Sequence, residues 1–254
     1  MPLLNHPWEL GLLVAVVLAL VLDFGRFVAI RLKIDQFPHR KEQLATIRDG
    51  LFVLVSFLLG FTLTLAASRF AERRSLIIEE AVSIGATYLR AGTLPQTNRE
   101  RARQLMREYV ESRLALDDAD IIPFNDAAAH SKHIQQQLWL DATNVAQNDR
   151  SAISASYINS LVETIDLHEK RVAALENRVP PPIWILIITV SLIAVFTRGA
   201  TLPSRFWLSL ILMPITIAIV VALIADLDTP SHGLIRLDQR PLQRLKAEIA
   251  EIAP

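Results

Sequence analysis

Four apolar segments alternate with polar ones along the chain, and their lengths indicate the fold class. The first spans about 8–30, although its uninterrupted apolar run covers only 10–22. The others span about 51–68, 183–198 and 206–225. Because a helix needs about 20 mostly apolar residues to cross a bilayer, the pattern predicts an all-α integral membrane protein. Four transmembrane helices would form two hairpins, separated by a helical extramembrane middle region.

The second apolar segment has no helix-breaking residue at its end. From position 69 to 90 the sequence contains no proline, and residues that favour helices predominate. We therefore expect one long helix that leaves the membrane and ends between Gly92 and Pro95, because glycine followed by proline commonly terminates a helix.

The middle region shows helical periodicity. Thr97 and Glu100 have the spacing of a capping box, which predicts that a helix starts there. After a predicted loop at 117–126, which contains Pro123 and four acidic residues, a second helix is expected around 132–146. A third is expected at 153–178, because its apolar positions recur at spacings of three and four. Two apolar faces follow: Ala102, Leu105, Met106, Tyr109 and Val110 in the first helix, and Ile153, Tyr157, Leu161, Ile165, His168, Val172 and Leu175 in the third.

Three consecutive prolines at 180–182 end the middle region and open the second hairpin. The predicted domain organisation is a first hairpin at 1–68, the extramembrane region at 69–179, a second hairpin at 180–225 and a charged tail at 226–254.

Composition and motifs exclude several functional classes. The 254 residues carry no net charge, so no general attraction to nucleic acid is expected. There is no cysteine, which excludes disulfides and thiolate nucleophiles. The GxSxG, P-loop, HExxH and GxGxxG motifs are all missing from the sequence. We therefore expect neither enzyme activity nor a cofactor, and the lipid bilayer is the first predicted partner.

The distribution of cations predicts how the chain is oriented in the cell membrane. Four spans place both termini and the middle region on one side. The two hairpin loops hold these cations: Arg26, Arg31, Lys33, Arg40, Lys41, Arg48, Arg198 and Arg205. Lysine and arginine in short loops favour the cytoplasmic side, so the loops are expected in the cytoplasm and the middle region outside. Several arginines that flank the membrane on the other side leave the reverse orientation open.

Small and hydroxyl-bearing residues recur every four positions along the second span: Ser56, Gly60, Thr64 and Ser68. We call them the polar stripe. Small residues allow helices to pack closely in a membrane, whereas hydroxyl groups can face water in a pore. Both interpretations hold if the second span packs against copies of itself around a symmetry axis.

Charged residues follow directly after the polar stripe. The charged cluster comprises Arg69, Glu72, Arg73, Arg74, Glu79 and Glu80. Their spacings permit ion pairs on one helix face, and in a symmetric oligomer the arginines would form a ring that attracts anions. Asp226 and Asp228 end the fourth span on the same side of the membrane. They could pair with an arginine at the end of the second span or bind a cation.

Two histidines three residues apart, His130 and His133, could share a helix face. A zinc site needs three or four ligands, and no third candidate is near in sequence. We therefore expect ordinary surface histidines and no metal site.

Several short sequences together resemble the bestrophin-like family of membrane proteins. These are S-R-F-A-E-R-R at 68–74, E-E-A at 79–81, Y-L-R at 88–90, L-P at 94–95, V-P-P at 179–181, D-L-D-T-P at 226–230 and G-L-I at 233–235. The resemblance extends from about Ile47 to Leu242.

This resemblance implies a function. Bestrophins are pentameric anion channels with four spans per subunit and a helical cytosolic part, so an oligomeric channel-like protein with inorganic anions as partners is implied. The sequence lacks the aromatic neck and the acidic calcium-binding runs of bestrophins, so the resemblance does not extend to calcium gating. A cytosolic helical part also differs from the orientation that the cations favour. The alternative function is a non-conducting scaffold or sensor whose extramembrane helices bind a partner.

Overall fold

The computed structural model describes residues 7–115, 124–202, 207–229 and 233–252. Within them the chain forms helices and no strands, which confirms the all-α class. The α-helices are α1 (Pro7–Arg31), α2 (Pro38–Ala91), α3 (Gln96–Ala115), α4 (Phe124–Asn148), α5 (Ala152–Glu176), α6 (Pro181–Thr201), α7 (Trp207–Asp228) and α8 (Arg240–Ile252).

Four helical stretches of the described chain are long and apolar enough to cross a membrane. They are Pro7–Arg31, Pro38–Ala91, Ala152–Thr201, which contains both α5 and α6, and Ile211–Asp228. The prediction of four spans is therefore confirmed, and the chain is a multi-pass membrane protein.

The α2 helix is longer than the sequence pattern indicated. It ends at Ala91, where its termination was expected, but it begins at Pro38 rather than near Leu51. Proline is favourable in the first turn of a helix, and no breaker separates it from the apolar run. The connection to α1 is reduced to 32–37, where Lys33 adopts a left-handed conformation with φ of 49°. Three cations expected in the hairpin loop, at 40, 41 and 48, therefore lie on α2.

Other helix boundaries differ by a few residues. The α3 helix begins at Gln96, so the prediction of Thr97 as its cap is wrong. The Glu100 carboxylate instead accepts a hydrogen bond from the Gln96 side chain at 3.1 Å. Ser151 caps α5, accepting a hydrogen bond from the backbone N–H of Ser154 at 3.3 Å. Residues 117–123 of the predicted loop lie outside the described residues, as do Arg205 and Pro230.

The chain forms two compact units. The membrane unit comprises Met1–Phe70 and Arg178–Arg236, and the extramembrane unit comprises Ala71–Asn177 and Leu237–Pro254. In the membrane unit α1 packs against both α6 and α7. A side chain at Gly25 would collide with the carbonyl oxygen of Phe196, and one at Gly199 with that of Leu22. Glycine is therefore required where α1 and α6 cross.

The extramembrane unit has its own apolar core. The apolar face of α3 is buried as predicted, and it packs with residues of α4, α5 and α8: Ile134, Leu138, Tyr157, Leu161, Leu242 and Leu245. The α8 helix is amphipathic, burying Leu242, Leu245 and Ile249, and it contacts α3. Burial of these side chains supplies the main driving force for folding of this unit.

Candidate functional site

The polar stripe lies on an uncovered part of α2. All four of its residues are exposed in the single chain. Another face of the same helix is buried in the membrane unit, through Val55, Leu59, Thr62 and Ala66. The stripe is therefore not covered by the other helices of its own chain.

The Thr64 hydroxyl of the stripe has a hydrogen-bond acceptor in its own helix, and Gly60 has open space around it. The Thr64 hydroxyl donates to the carbonyl oxygen of Gly60 at 3.0 Å, so it needs no partner from another helix. A Cβ atom added at Gly60 would have no neighbour within 4 Å. Thr62, two residues earlier on the buried face, makes the equivalent bond to Leu58 at 2.7 Å. These two threonines differ mainly in what surrounds them.

A cleft of about 800 Å³ runs beside the stripe within the membrane unit. Ser56 and Gly60 of α2 line it, together with Leu212 and Thr216 of α7. Arg198 also lines the cleft, and most of the remaining wall is apolar. Space therefore exists next to the stripe for lipid chains or for a helix of another subunit.

The six residues of the charged cluster divide by burial. Arg73 and Glu80 are buried, with exposures of 1% and 0%. Arg69 is half-buried. The remaining three are exposed: Glu72, Arg74 and Glu79. The residues that sequence spacing grouped together thus have three different environments.

Arg73 binds the carboxyl end of α5. Its Nε donates to the carbonyl oxygen of Ala174 and its Nη2 to that of Asn177, both at 2.9 Å. The last carbonyl groups of a helix lack partners within the helix and carry partial negative charge. A guanidinium group placed there stabilises the helix end, so Arg73 has a structural role within the extramembrane unit.

Glu80 lies between two buried arginines. Its Oε1 is 2.6 Å from Nε of Arg113, and its Oε2 is 2.6 Å from Nη1 of Arg171. Burial opposes ionisation of Glu80, but the two positive charges and their hydrogen bonds outweigh it and hold its pKa below the ordinary value. A charged carboxylate therefore joins α2, α3 and α5 inside the unit.

A neutral hydrogen-bonded group borders this ion cluster. The Gln135 amide donates to the Tyr109 hydroxyl at 3.0 Å, and that oxygen is 3.3 Å from Nδ1 of His168. Burial, aided by the charge of Arg113, lowers the pKa of His168 to about 4. Burial also raises the pKa of Tyr109. Both side chains are neutral at neutral pH.

Buried hydroxyl groups link α2 to α5 in the interior of the extramembrane unit. The Ser83 and Thr87 hydroxyls are each 2.9 Å from the hydroxyl of Thr164. Thr87 is also 2.9 Å from the carbonyl oxygen of Ser160. Buried polar groups that satisfy one another specify a single helix arrangement. The interior of the extramembrane unit thus contains a polar layer.

The two aspartates at the end of α7 bind backbone amides of the membrane unit. Asp226 accepts from the N–H groups of Leu234 at 2.7 Å and Ile235 at 3.0 Å. Asp228 accepts from the N–H of Val179 at 2.9 Å. Both carboxylates are buried and attach neighbouring segments to the end of α7. Their pairing with an arginine at the end of the second span stays a prediction.

Sequence reasoning missed Arg113 and Arg171, the two partners of Glu80. A signal was present, since Arg113 follows Tyr109 by four residues and Arg171 follows His168 by three. Each arginine therefore lies on the apolar face of its helix. A cation on such a face requires a buried acidic partner.

The surface histidines do not converge on a metal. His130 and His133 are exposed, and Nε2 of His133 is 3.0 Å from the Gln137 amide nitrogen. Across 7–115, 124–202, 207–229 and 233–252, no three potential ligands are grouped as a metal site would require.

Comparison with known proteins identifies relatives of this chain. A family model described as a bestrophin-like domain matches residues 11–242, which confirms the resemblance seen in the sequence. No curated protein sequence matches.

Solved structures share the fold. The crystal structure of a bacterial bestrophin homologue from Klebsiella pneumoniae, solved by Zn-SAD phasing, is 13% identical with a TM-score of 0.68, covering 94% of this chain and 97% of that chain. A single-substitution variant of that homologue is also 13% identical, with a TM-score of 0.71 and coverage of 93% and 96%. A structure described as a membrane protein variant is 14% identical, with a TM-score of 0.66 and coverage of 93% and 97%.

Proposed function

We propose that this chain, which belongs to the bestrophin-like family, forms an oligomeric membrane channel that conducts inorganic anions. In this assembly α2 of each subunit would face the symmetry axis with its polar stripe. The observation that carries the proposal is the exposure of all four stripe residues on a helix whose other face is buried.

Exposure of the stripe favours an axial position over packing inside the chain. Small and hydroxyl-bearing residues that are exposed in the single chain bury little surface within that chain. Around an axis, small residues would let copies of α2 approach one another, and their hydroxyl groups would face water. The cleft of about 800 Å³ beside the stripe leaves room for a neighbouring subunit.

The expected preference for anions rests on Arg69, which directly follows the stripe. Arg69 is half-buried, so part of its side chain is accessible in the single chain. Rings of arginine or lysine select anions in channels. A guanidinium group repeated around an axis would supply such a ring, whereas Arg73 is already bound to the end of α5.

Ion flux through proteoliposomes tests the proposal, and the chain supplies a matched pair of threonines. Wild type is compared with Thr64→Val in the stripe and Thr62→Val on the buried face. We expect chloride flux above empty liposomes, reduced about threefold by Thr64→Val, a barrier change of about 0.6 kcal/mol. Thr62→Val should conduct as wild type, because Thr62 lies on the buried face. The pair is matched, because each hydroxyl donates to a backbone carbonyl of its own helix.

A second pair of variants tests selectivity. Arg69→Gln should lower the preference for chloride over potassium about tenfold, equivalent to about 1.4 kcal/mol. Arg150 is an exposed arginine between α4 and α5, and Arg150→Gln should leave the preference for chloride over potassium unchanged. Equal effects of the two arginine variants would argue against Arg69 as the filter. No flux from a well-folded oligomer would contradict channel function altogether.

One observation favours the alternative of a non-conducting scaffold. The extramembrane unit has a groove of about 650 Å³ between α4 and α5. It is lined by apolar side chains including Trp139, Leu140 and Val162, which are 45%, 64% and 38% exposed. Exposed apolar grooves commonly bind partner proteins. If no ion flux is measured, binding of a partner protein in this groove is the function to test next.

A further inference from the structure

Three arginines converge on a small cleft at the surface of the extramembrane unit. The cleft has a volume of about 260 Å³. It is lined by Arg74 and Ile78 from α2, by Asp238 before α8, and by Arg240, Pro241 and Arg244 from α8. The channel proposal assigns no role to this cleft.

The cleft has an excess of positive charge. Asp238, its one carboxylate, binds Nη2 of Arg240 at 2.7 Å and the backbone N–H of Arg240 at 3.0 Å. These hydrogen bonds, together with the charge of Arg74, lower the pKa of Asp238. Arg74 and Arg244 take part in none of the ion pairs found among the described residues. Asp238 thus orients Arg240, and the three guanidinium groups together carry more positive charge than this one carboxylate can offset.

The positions of the arginines are fixed by packed helices. Leu242, Leu245 and Ile249 bury one face of α8, so Arg240 and Arg244 are held on the other face. An ion pair between Lys246 and Glu111 at 2.9 Å adds a second link from α8 to α3. The backbone positions that carry the guanidinium groups are therefore held in place by packing, which removes part of the entropy cost of binding a ligand.

We propose that Arg74, Arg240 and Arg244 bind a phosphate group, with the headgroup of an anionic phospholipid as its source. Guanidinium groups match the geometry of phosphate oxygens and form strong, charge-assisted hydrogen bonds with them. The phosphate of a lipid headgroup is small enough to enter a cleft of about 260 Å³.

One feature favours a lipid over free phosphate. The wall of the cleft is partly apolar, because it includes Pro241 and the 45% exposed side chain of Ile78. A lipid would place its glycerol and upper chain carbons against such a wall.

Calorimetric titration of the purified full-length protein in detergent tests this proposal. The ligands are short-chain phosphatidic acid, short-chain phosphatidylcholine and inorganic phosphate. The test variant carries Arg74→Gln, Arg240→Gln and Arg244→Gln. The control variant removes three exposed cations of the same unit by Arg90→Gln, Arg150→Gln and Lys170→Gln. Size-exclusion profiles establish that each variant is folded, and Arg74→Gln alone replaces the triple variant if that variant aggregates.

We expect phosphatidic acid to bind wild type and the control variant equally, and the test variant at least about tenfold more weakly. Phosphatidylcholine should bind more weakly than phosphatidic acid. Equal binding by wild type and the test variant, or equal loss in the control variant, would refute the site. Inorganic phosphate that binds as tightly as the lipid would refute a lipid as the source. Binding is measured without ion flux, so failure of the channel proposal would leave this result intact.

Discussion

Glu79 and Glu80 are adjacent in sequence but have different environments. Glu79 is exposed and accepts a hydrogen bond from Ser75 at 2.8 Å. Glu80 is buried between Arg113 and Arg171. Successive residues of a helix are rotated by about 100°, so one carboxylate faces water while its neighbour faces the core. At the scale of single residues, the direction in which a side chain leaves the helix therefore determines whether its charge is exposed or paired in the core.

The first prediction concerns the buried ion cluster. Glu80→Gln should destabilise the protein by about 3–5 kcal/mol, because two buried guanidinium groups would lose their counter-charge. The thermal unfolding midpoint of the purified protein measures this effect. Glu79→Gln is the matched control and should change stability by less than about 0.5 kcal/mol. Similar midpoints for the two variants would show that the cluster contributes little.

The second prediction is a pH dependence caused by His168. Its pKa is about 4 in the fold, against an ordinary value of 6.5. Between these values the unfolded chain binds a proton that the folded chain does not, so stability falls as pH decreases below about 6.5. By pH 5 the loss should reach about 2 kcal/mol. The charged groups around the imidazole are Glu80, Arg113, Arg171 and Lys132.

The His168→Gln variant isolates this contribution. It should remove most of the loss between about pH 7.5 and pH 5, a window in which Glu80 stays ionised because its pKa is lowered. His133→Gln, which replaces an exposed histidine, should retain the wild-type profile. A wild-type profile that is flat over this window would contradict the prediction.

At the scale of helices, glycines serve two different purposes. Gly25 and Gly199 lie where α1 crosses α6, and a side chain at either would strike backbone of the other helix. Gly60 belongs to the polar stripe and has open space around it. Close packing was one of the two interpretations of the stripe, whereas within one chain the close crossing involves α1 and α6.

The third prediction follows from this difference. Gly199→Ala should destabilise the membrane unit by about 1–3 kcal/mol or more, because the carbonyl of Leu22 leaves no room for a methyl group. Gly60→Ala should leave the stability of the single chain unchanged. Yield of monodisperse protein and its unfolding midpoint provide the comparison. Tolerance of alanine at Gly199 would mean that the two helices can separate at little cost.

At the scale of the whole molecule, the main question is what covers the exposed face of α2. The chain contains no cysteine, so any disulfide that forms must come from a cysteine introduced by substitution. Residues near a symmetry axis approach their own copies in other subunits, and a disulfide requires Cα atoms within about 7 Å.

The fourth prediction uses this property. Thr64→Cys should form disulfide-linked dimers on mild oxidation in membranes, because the stripe is proposed to face the axis. Thr216→Cys on α7, which is also exposed, should not. Denaturing gels without reductant distinguish the two variants. Dimers formed equally at both positions would indicate random collision. If Thr64→Cys forms no dimers, and cysteine placed at each of the other three stripe positions forms none either, α2 lies away from the axis.

Much of the fold could be predicted from the sequence, whereas the environments of the site residues could not. The stripe was recognised from its spacing of four, but its exposure depends on which face of α2 the other helices cover. Arg73 and Glu80 were grouped with exposed charges because spacing alone does not reveal burial. The start of α2 was missed because residues 39–49 are mostly polar, with Leu44, Ala45 and Ile47 as their only apolar residues, although Pro38 opens the helix.

The sequence by itself determined the all-α class, the four spans and the extension of α2 to Ala91. These depend on local properties, because in lipid a long apolar segment must satisfy its backbone hydrogen bonds within itself. Only the tertiary structure decided that Glu80 pairs with Arg113 and Arg171. These residues are far apart in the chain, and the packing of three helices brings them together in an interior where unpaired charge is too costly.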